Sequence, residues 1–205
     1  ILTGHPMENI KAAASGIEGE VAGSKLEAEA LLVAVGRKPV IENLNLEAAG
    51  LKPNAKGFLE TDDTCRTRVA SVFAIGDITG RRQLAHAATA MGIVAAENAC
   101  AKRASMAGRV IPSAVFTVPE VGTVGIGEEE AEQLECGVKI GKFAFAGLGR
   151  ALASNETQGF VKWIADAQTD QLLGAQAVGA RATDLIATAA LALQGQWTAA
   201  EFGRV

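Results

Sequence analysis

The chain has 205 residues, 49% of them hydrophobic, and a formal net charge of −4, so one large core or two small ones can form. No window is strongly basic, which argues against electrostatic capture of nucleic acid or an anionic membrane surface. The longest apolar stretch, Leu185 to Leu193, falls far short of the roughly 20 residues a membrane-spanning helix needs.

In chain order, Lys11 to Val35 reads as β structure. Ile17-Glu18-Gly19-Glu20-Val21-Ala22 alternates, Gly23-Ser24 turns, and Lys25-Leu26-Glu27-Ala28 continues the alternation. Ala30-Leu31-Leu32-Val33-Ala34-Val35 is almost wholly apolar and predicts a strand covered on both faces. Gly36-Arg37-Lys38-Pro39 stops it, since Pro39 biases Lys38 away from helix. Leu44, Leu46 and Leu51 flank a short helical turn that Gly50 ends, and Gly57-Phe58-Leu59-Glu60 predicts a short strand.

A second apolar strand is expected at Val72-Phe73-Ala74-Ile75, ending in Gly76-Asp77 and the polar turn Ile78-Thr79-Gly80-Arg81-Arg82. An alanine-rich helix follows from about Leu84 to Lys102, with Ala87, Ala88, Met91, Val94, Ala95 and Ala99 as its apolar positions. Gly108 and Pro112 mark the expected domain boundary.

Beyond it come strands at Ser113 to Phe116, Val121 to Ile126 and Lys139 to Phe145, with a Thr117 to Glu120 turn. An acidic helix starts at Glu128-Glu129-Glu130, where carboxylates suit the helix dipole, and Gly137 ends it. Phe160 to Ala165 and Leu172 to Val178 predict a hairpin across Gln168-Thr169-Asp170. A helix from about Thr183 to Leu193 presents Ile186, Ala189, Ala190 and Leu193 on one face. The region is strands followed by helices, an α+β pattern.

Cys65, Cys100 and Cys136 form neither a CxxC nor a CxxxxC pair and have no metal-ligand spacing. They read as separate thiols in a reducing, cytoplasmic compartment. No signal or transit peptide is visible, although the chain begins without Met. His5-Pro6-Met7-Glu8 reads as a solvated turn.

Leu32-Val33-Ala34-Val35-Gly36-Arg37-Lys38-Pro39, Ala74-Ile75-Gly76-Asp77, Leu84-Ala85-His86, and Ile111-Pro112-Ser113 through Pro119-Glu120-Val121 carry a family resemblance. In this order, and with Gly159-Phe160-Val161-Lys162 and Leu172-Leu173-Gly174, they resemble the flavin-dependent pyridine nucleotide-disulfide oxidoreductases. Leu84-Ala85-His86 is similar to the lipoamide branch more than to mercuric or glutathione reductases. Val118 departs from the pattern, since many members have His before Pro-Glu.

The resemblance implies an α/β plus α+β architecture. Residues 1–36 would be the tail of an NAD-binding domain, residues 37–108 a central FAD-domain segment, and residues 109–205 an interface domain with an antiparallel sheet and helices, incomplete at its C-terminus. It implies FAD and NAD as cofactors, a homodimer, and a lipoyl domain of a 2-oxo acid dehydrogenase complex as partner. The implied reaction oxidises dihydrolipoamide to its disulfide and passes electrons through FAD to NAD.

The family's two GxGxxG loops, its redox CxxxxC and its C-terminal His-Pro segment have no counterpart here. The resemblance therefore implies a piece of such an enzyme. The isolated chain is expected to be inactive and to bind neither cofactor tightly, and a dimerisation or binding module is the alternative description.

The implied cofactor residues are Asp77, Leu84, Ala85, His86, Gly36 and Arg37. Asp77 would accept a hydrogen bond from a ribitol hydroxyl of FAD. Read from the residues alone, Gly-Asp is equally an ordinary turn or N-cap. The N–H groups of Leu84, Ala85 and His86 would face the flavin, while the His86 side chain could cap or pack instead. Gly36 would let NAD approach the backbone, with Arg37 beside it; a plain strand-end glycine and a surface arginine are the alternative.

Overall fold

The computed structural model describes residues 1–135 and 137–205, so the Cys136 reading lies outside the described residues. The chain divides into two compact units, Ile1–Lys38 and Pro39–Val205.

The first unit is an antiparallel sheet of β1 (Glu8–Ala13), β2 (Gly16–Val21) and β3 (Ser24–Ala28), in that order. Val21 pairs with Ser24 across a two-residue turn in which Ala22 (φ 51°) and Gly23 (φ 75°) are both left-handed. That is the turn whose twist matches paired strands. Gly19 and Val21 are buried, while β3 is exposed along its whole length.

The strand expected at residues 30–35 does not form: the segment has no regular secondary structure and pairs with no strand among the described residues. Leu32 and Val35 are 88% and 92% exposed. A buried parallel-type strand needs a neighbour on each edge, and the described residues supply none. Glu8, in the His5 to Glu8 turn read from sequence, opens β1 instead.

In the second unit, Leu46 to Leu51 closes as a helical turn with a left-handed Gly50 (φ 71°). Leu51 N donates to Leu46 O and Gly50 N to Glu47 O, both at 2.9 Å, which satisfies carbonyls a helix end leaves open. Two further strand expectations fail. At residues 57–60 no strand forms; left-handed Gly57 closes a turn onto Asn54 O, and Leu59 N donates to Ile78 O. Among the described residues, residues 72–75 pair in no strand and form the isolated bridge from Phe73 to Arg66. Side chains do part of the pairing there: Asp62 Oδ1 accepts from Thr64 N, Thr64 Oγ1 and Arg66 N. The Thr64 hydroxyl, ahead of the backbone donors, holds the Asp62 carboxyl below its usual range.

α1 (Ala85–Ala99) is the alanine-rich helix, three residues shorter at its end than the sequence reading. Met91, Val94 and Ala95 pack with Cys65, and Phe73 and Met106 close over them. Close packing accounts for the alanines on this face.

A five-stranded antiparallel sheet follows, in the order β4 (Ser113–Val115), β5 (Val121–Gly125), β8 (Leu172–Gly179), β7 (Gly159–Asp166), β6 (Val138–Ala144). α4 (Ala182–Gln194) lies on β5 and β8. Its Ile186, Ala189, Ala192 and Leu193 form a core with Val124, Ala165, Leu172 and Ala175. Across from α4, Lys162 is directly opposite Lys142 in the β6–β7 register, a like-charge pair. Glu128 of the four-residue α2 (Glu128–Ala131) meets Lys162 Nζ at 2.8 Å, and Lys142 Nζ stands 4.2 Å from the Phe160 ring centre. Opposite charge and an aromatic face offset the repulsion.

The glycines of β5 are there for close approach. A Cβ at Gly122 would meet Ala182 O at 2.6 Å. One at Gly125 (φ 71°) would meet Leu173 O at 2.1 Å. Sequence reasoning missed α3 (Gly149–Ala153) and α5 (Ala199–Phe202). The second carried a readable signal: Thr198 and Glu201 form a reciprocal capping box.

Gly125→Ala is expected to destabilise the second unit by about 3 kcal/mol, from left-handed strain plus the carbonyl clash. Urea unfolding checks this, and a midpoint unchanged from the parent chain contradicts the packing argument.

Candidate functional site

Ala74 is buried, and the chain then turns sharply at Gly76, whose φ of 72° excludes most side chains. A Cβ there would also come 3.3 Å from Ala88 Cβ in α1. Gly76–Thr79 forms one turn of 3-10 helix, locked by buried Thr79 Oγ1 donating to Gly76 O at 2.8 Å. Asp77 therefore sits in a short helical turn, exposed, rather than at the end of a regular strand.

The backbone then runs from Gly80 to the start of α1. Leu84 is the N-cap, in extended conformation, and no side chain caps the helix. The first-turn N–H groups at Ala85 and His86 are thus open to an acceptor, reinforced by the helix dipole. Just before them, Gln83 Nε2 is buried with no hydrogen-bond partner. A buried amide without a partner is costly and calls for an acceptor. The sequence reading passed over Gln83, because a glutamine in a polar turn carries no pattern.

The structure brings Asp77, Leu84, Ala85 and His86 onto adjoining turns of the second unit. The imidazole of His86 is turned to a structural task. Its Nε2 lies 2.7 Å from Pro112 O, and a carbonyl only accepts, so Nε2 carries the proton. Arg82 Nη1 donates to the preceding carbonyl, Ile111 O, at 3.0 Å. Gly36 and Arg37 belong to the first unit and are exposed. Gly36 has φ 109° with open space where a Cβ would point, so the backbone is approachable there.

The donor set suits a flavin. An acidic acceptor serves a sugar hydroxyl, and open N–H groups with an unpartnered amide serve carbonyl oxygens. The other glycine-rich turn does not suit a phosphate. Gly125-Ile126-Gly127 leads from β5 into α2, but Glu128, Glu129 and Glu130 occupy that helix's first turn and repel anions.

In the α+β region, Glu120 Oε2 accepts from Thr183 Oγ1 at 2.6 Å and Thr183 N at 3.1 Å, joining the Pro119-Glu120 turn to the start of α4. The Thr183 hydroxyl first, then its N–H, lower the Glu120 carboxyl from its usual 4.5. Beside it, Phe116 and Val118 are 81% and 101% exposed.

A mostly antiparallel α+β domain follows a Gly-Asp turn and an open helix mouth, the order of elements that the resemblance to disulfide oxidoreductases implies. Residues 111–205 match the pyridine nucleotide-disulphide oxidoreductase dimerisation domain, and residues 1–92 match the pyridine nucleotide-disulphide oxidoreductase domain. The chain belongs to the pyridine nucleotide-disulphide oxidoreductase family.

Dihydrolipoyl dehydrogenase 3 of Haloarcula marismortui is 44% identical over 170 residues, 83% of this chain and 36% of the relative. The dihydrolipoyl dehydrogenase of Halobacterium salinarum is 46% identical over 83% of this chain and 36% of the relative. That of Thermus scotoductus is 43% identical over 95% of this chain and 41% of the relative. Among solved structures, LpdA from Mycobacterium tuberculosis superposes with a TM-score of 0.91 at 25% identity, covering 98% of this chain and 44% of that one. RclA, an HOCl-induced flavoprotein disulfide reductase from Escherichia coli, gives 0.85 at 25% identity, covering 94% and 45%. The chain spans about two-fifths of the length of these curated relatives.

A carboxyl lowered on folding stabilises the folded state above its unfolded pKa, and that contribution is lost as pH falls through the folded value. Thr183→Val is therefore expected to lower the melting temperature at neutral pH. The gap from the parent chain should close as acid protonates Glu120 below the usual carboxylate range. A gap that persists undiminished in acid contradicts the assignment.

Proposed function

We propose that this chain carries the FAD-contacting central segment and the dimerisation domain of a dihydrolipoyl dehydrogenase acting as a homodimer on the lipoyl groups of a 2-oxo acid dehydrogenase complex. The single observation behind it is the pairing of the Gly76-Asp77 turn with the uncapped start of α1, where the orphan Gln83 amide adds a donor. The dihydrolipoyl dehydrogenase relatives, at 38% to 46% identity, support the lipoamide substrate. The similarity to RclA keeps a different flavin disulfide reductase as the second reading.

On this reading the Asp77 carboxylate accepts from a ribityl hydroxyl and orients the cofactor. The N–H groups of Ala85 and His86 point partial positive charge at the pyrimidine edge, where reduction places negative charge. FAD, when bound, relays electrons between a dithiol and NAD. Gly36 gives NAD a bare stretch of backbone, with Arg37 beside it. Residues 1–36, 37–108 and 109–205 divide between the NAD, FAD and interface roles.

In the enzyme that carries this chain, Asp77→Ala is expected to lower FAD affinity by about tenfold or more, the loss of a charge-assisted hydrogen bond. Visible flavin absorbance per protein, followed on dilution, measures it; flavin retention equal to the parent's contradicts the site. Dihydrolipoamide should reduce NAD in that enzyme. Failure there, together with reduction of glutathione disulfide or a mercuric salt, moves the assignment to the second reading.

A further inference from the structure

Beside the start of α1, on the flank defined by residues 106–111, lies a cavity of about 330 Å³ that the redox reading does not use. Buried Ala87 and Met91 line it with Met106 and Ile111, while Asp63, Arg81, Arg82 and Arg109 supply charge. Each guanidinium is set in place by a backbone carbonyl: Arg81 by Asp62 O at 3.0 Å, Arg82 by Ile111 O at 3.0 Å, Arg109 by Ser105 O at 3.1 Å. Asp63 pairs with Arg81 at 2.5 Å and neutralises it. Among the described residues, neither Arg82 nor Arg109 has a carboxylate in ion-pair range.

We propose that this cavity binds a small organic oxyanion, a carboxylate or phosphate carried on an apolar body, with Arg82 and Arg109 holding the charged group and the half-buried Met106 and Ile111 contacting the body. Three features point to such a ligand. A guanidinium has five donors in a planar fork, and one carbonyl contact leaves most of them for an oxyanion. The arginines are anchored before any ligand arrives, so little side-chain entropy is lost on binding. The apolar part of the lining separates this site from a bare phosphate patch, because an inorganic ion leaves the half-buried Met106 and Ile111 without a contact. The charge of the cluster is felt in the core beneath it. Burial pushes the Cys65 thiol up; Arg81 and Arg109 oppose that shift, and Asp62 and Asp63 add to it.

Calorimetric titration of the 205-residue chain in low-salt buffer tests the proposal with phenyl phosphate, benzoate, inorganic phosphate and benzyl alcohol. Phenyl phosphate or benzoate, or both, should bind saturably and more tightly than inorganic phosphate and the neutral alcohol, and which of the two prefers the site identifies the charged group. Arg109→Gln should weaken that binding about tenfold, the effect of one charge-assisted contact. Ala107→Glu places a repelling carboxylate on the exposed rim, touches no core residue, and should abolish saturation. Unchanged melting temperatures would show that both variants fold. Binding of both aromatic anions no tighter than that of benzyl alcohol or inorganic phosphate overturns the proposal. So does binding that neither substitution alters.

Discussion

The hydrogen bonds from the start of α1 to two consecutive carbonyls hold the rest of the second unit in register. Arg82 takes Ile111 O and His86 takes Pro112 O, one from each side of the helix mouth. Ser113, the next residue, opens β4, the edge strand of the five-stranded sheet. A shift of the helix end is thereby passed to the edge of that sheet. Val110 N adds a bond to Gln194 Oε1 at the end of α4, so the linking segment is fixed to helices at both ends. Each bond alone is worth about 1 kcal/mol, yet contacts on adjacent residues restrict both position and rotation. The same contacts immobilise Arg82, one of the arginines that line the oxyanion cavity. One short segment thus serves the proposed flavin-facing helix end, the sheet and the second cavity.

This arrangement gives His86 a meaning that sequence position alone could not. The Leu84-Ala85-His86 triplet marks a helix start, but it does not say which way an imidazole faces. The backbone N–H groups remain available for a cofactor while the ring is engaged elsewhere. Conservative replacements at His86 therefore act on the junction first and on the helix mouth only through it. Asp77 is the opposite case: its position follows from two glycines, Gly76 at φ 72° and Gly80 at φ 67°, which force the turn that presents it. A Cβ at Gly80 would run into the Phe58 ring at 2.6 Å, so the turn is also pinned from below.

Much of the α+β region was legible because its signals are local. Alternation marked β6 and the β7–β8 hairpin, as it marked β2 and β3 in the first unit, and a 3.6-residue period marked α4. The Asp77 turn and the opening of α1 were legible for the same reason. Residues 57–60 and 72–75 were misread as regular strands because apolar extended sequence does not reveal how many neighbours will pair with it. Their hydrogen bonds go instead to turns, from Leu59 N to Ile78 O and from Ala74 N to Cys65 O, and from Phe58 N to the Asn54 side chain. The Arg82 contact and the oxyanion cavity join residues far apart in sequence, beyond the reach of a periodicity argument.

The apolar run at residues 30–35 shows where the two kinds of information part. Composition states correctly that Leu31, Leu32, Val33 and Val35 favour an apolar environment, because leaving them in water forfeits about 25 cal/mol for each Å² of apolar surface. It does not state which chain supplies that environment. Here the run follows β3 with its backbone unpaired among the described residues, and Leu32 and Val35 are almost fully exposed. Exposed apolar surface of this kind is an association site by physical default. The family match extends through this run, and the superposition with LpdA covers 98% of the chain. Similarity to the family is thus retained along a run that the described residues leave uncovered, because composition fixes a preference for burial and not the partner that satisfies it.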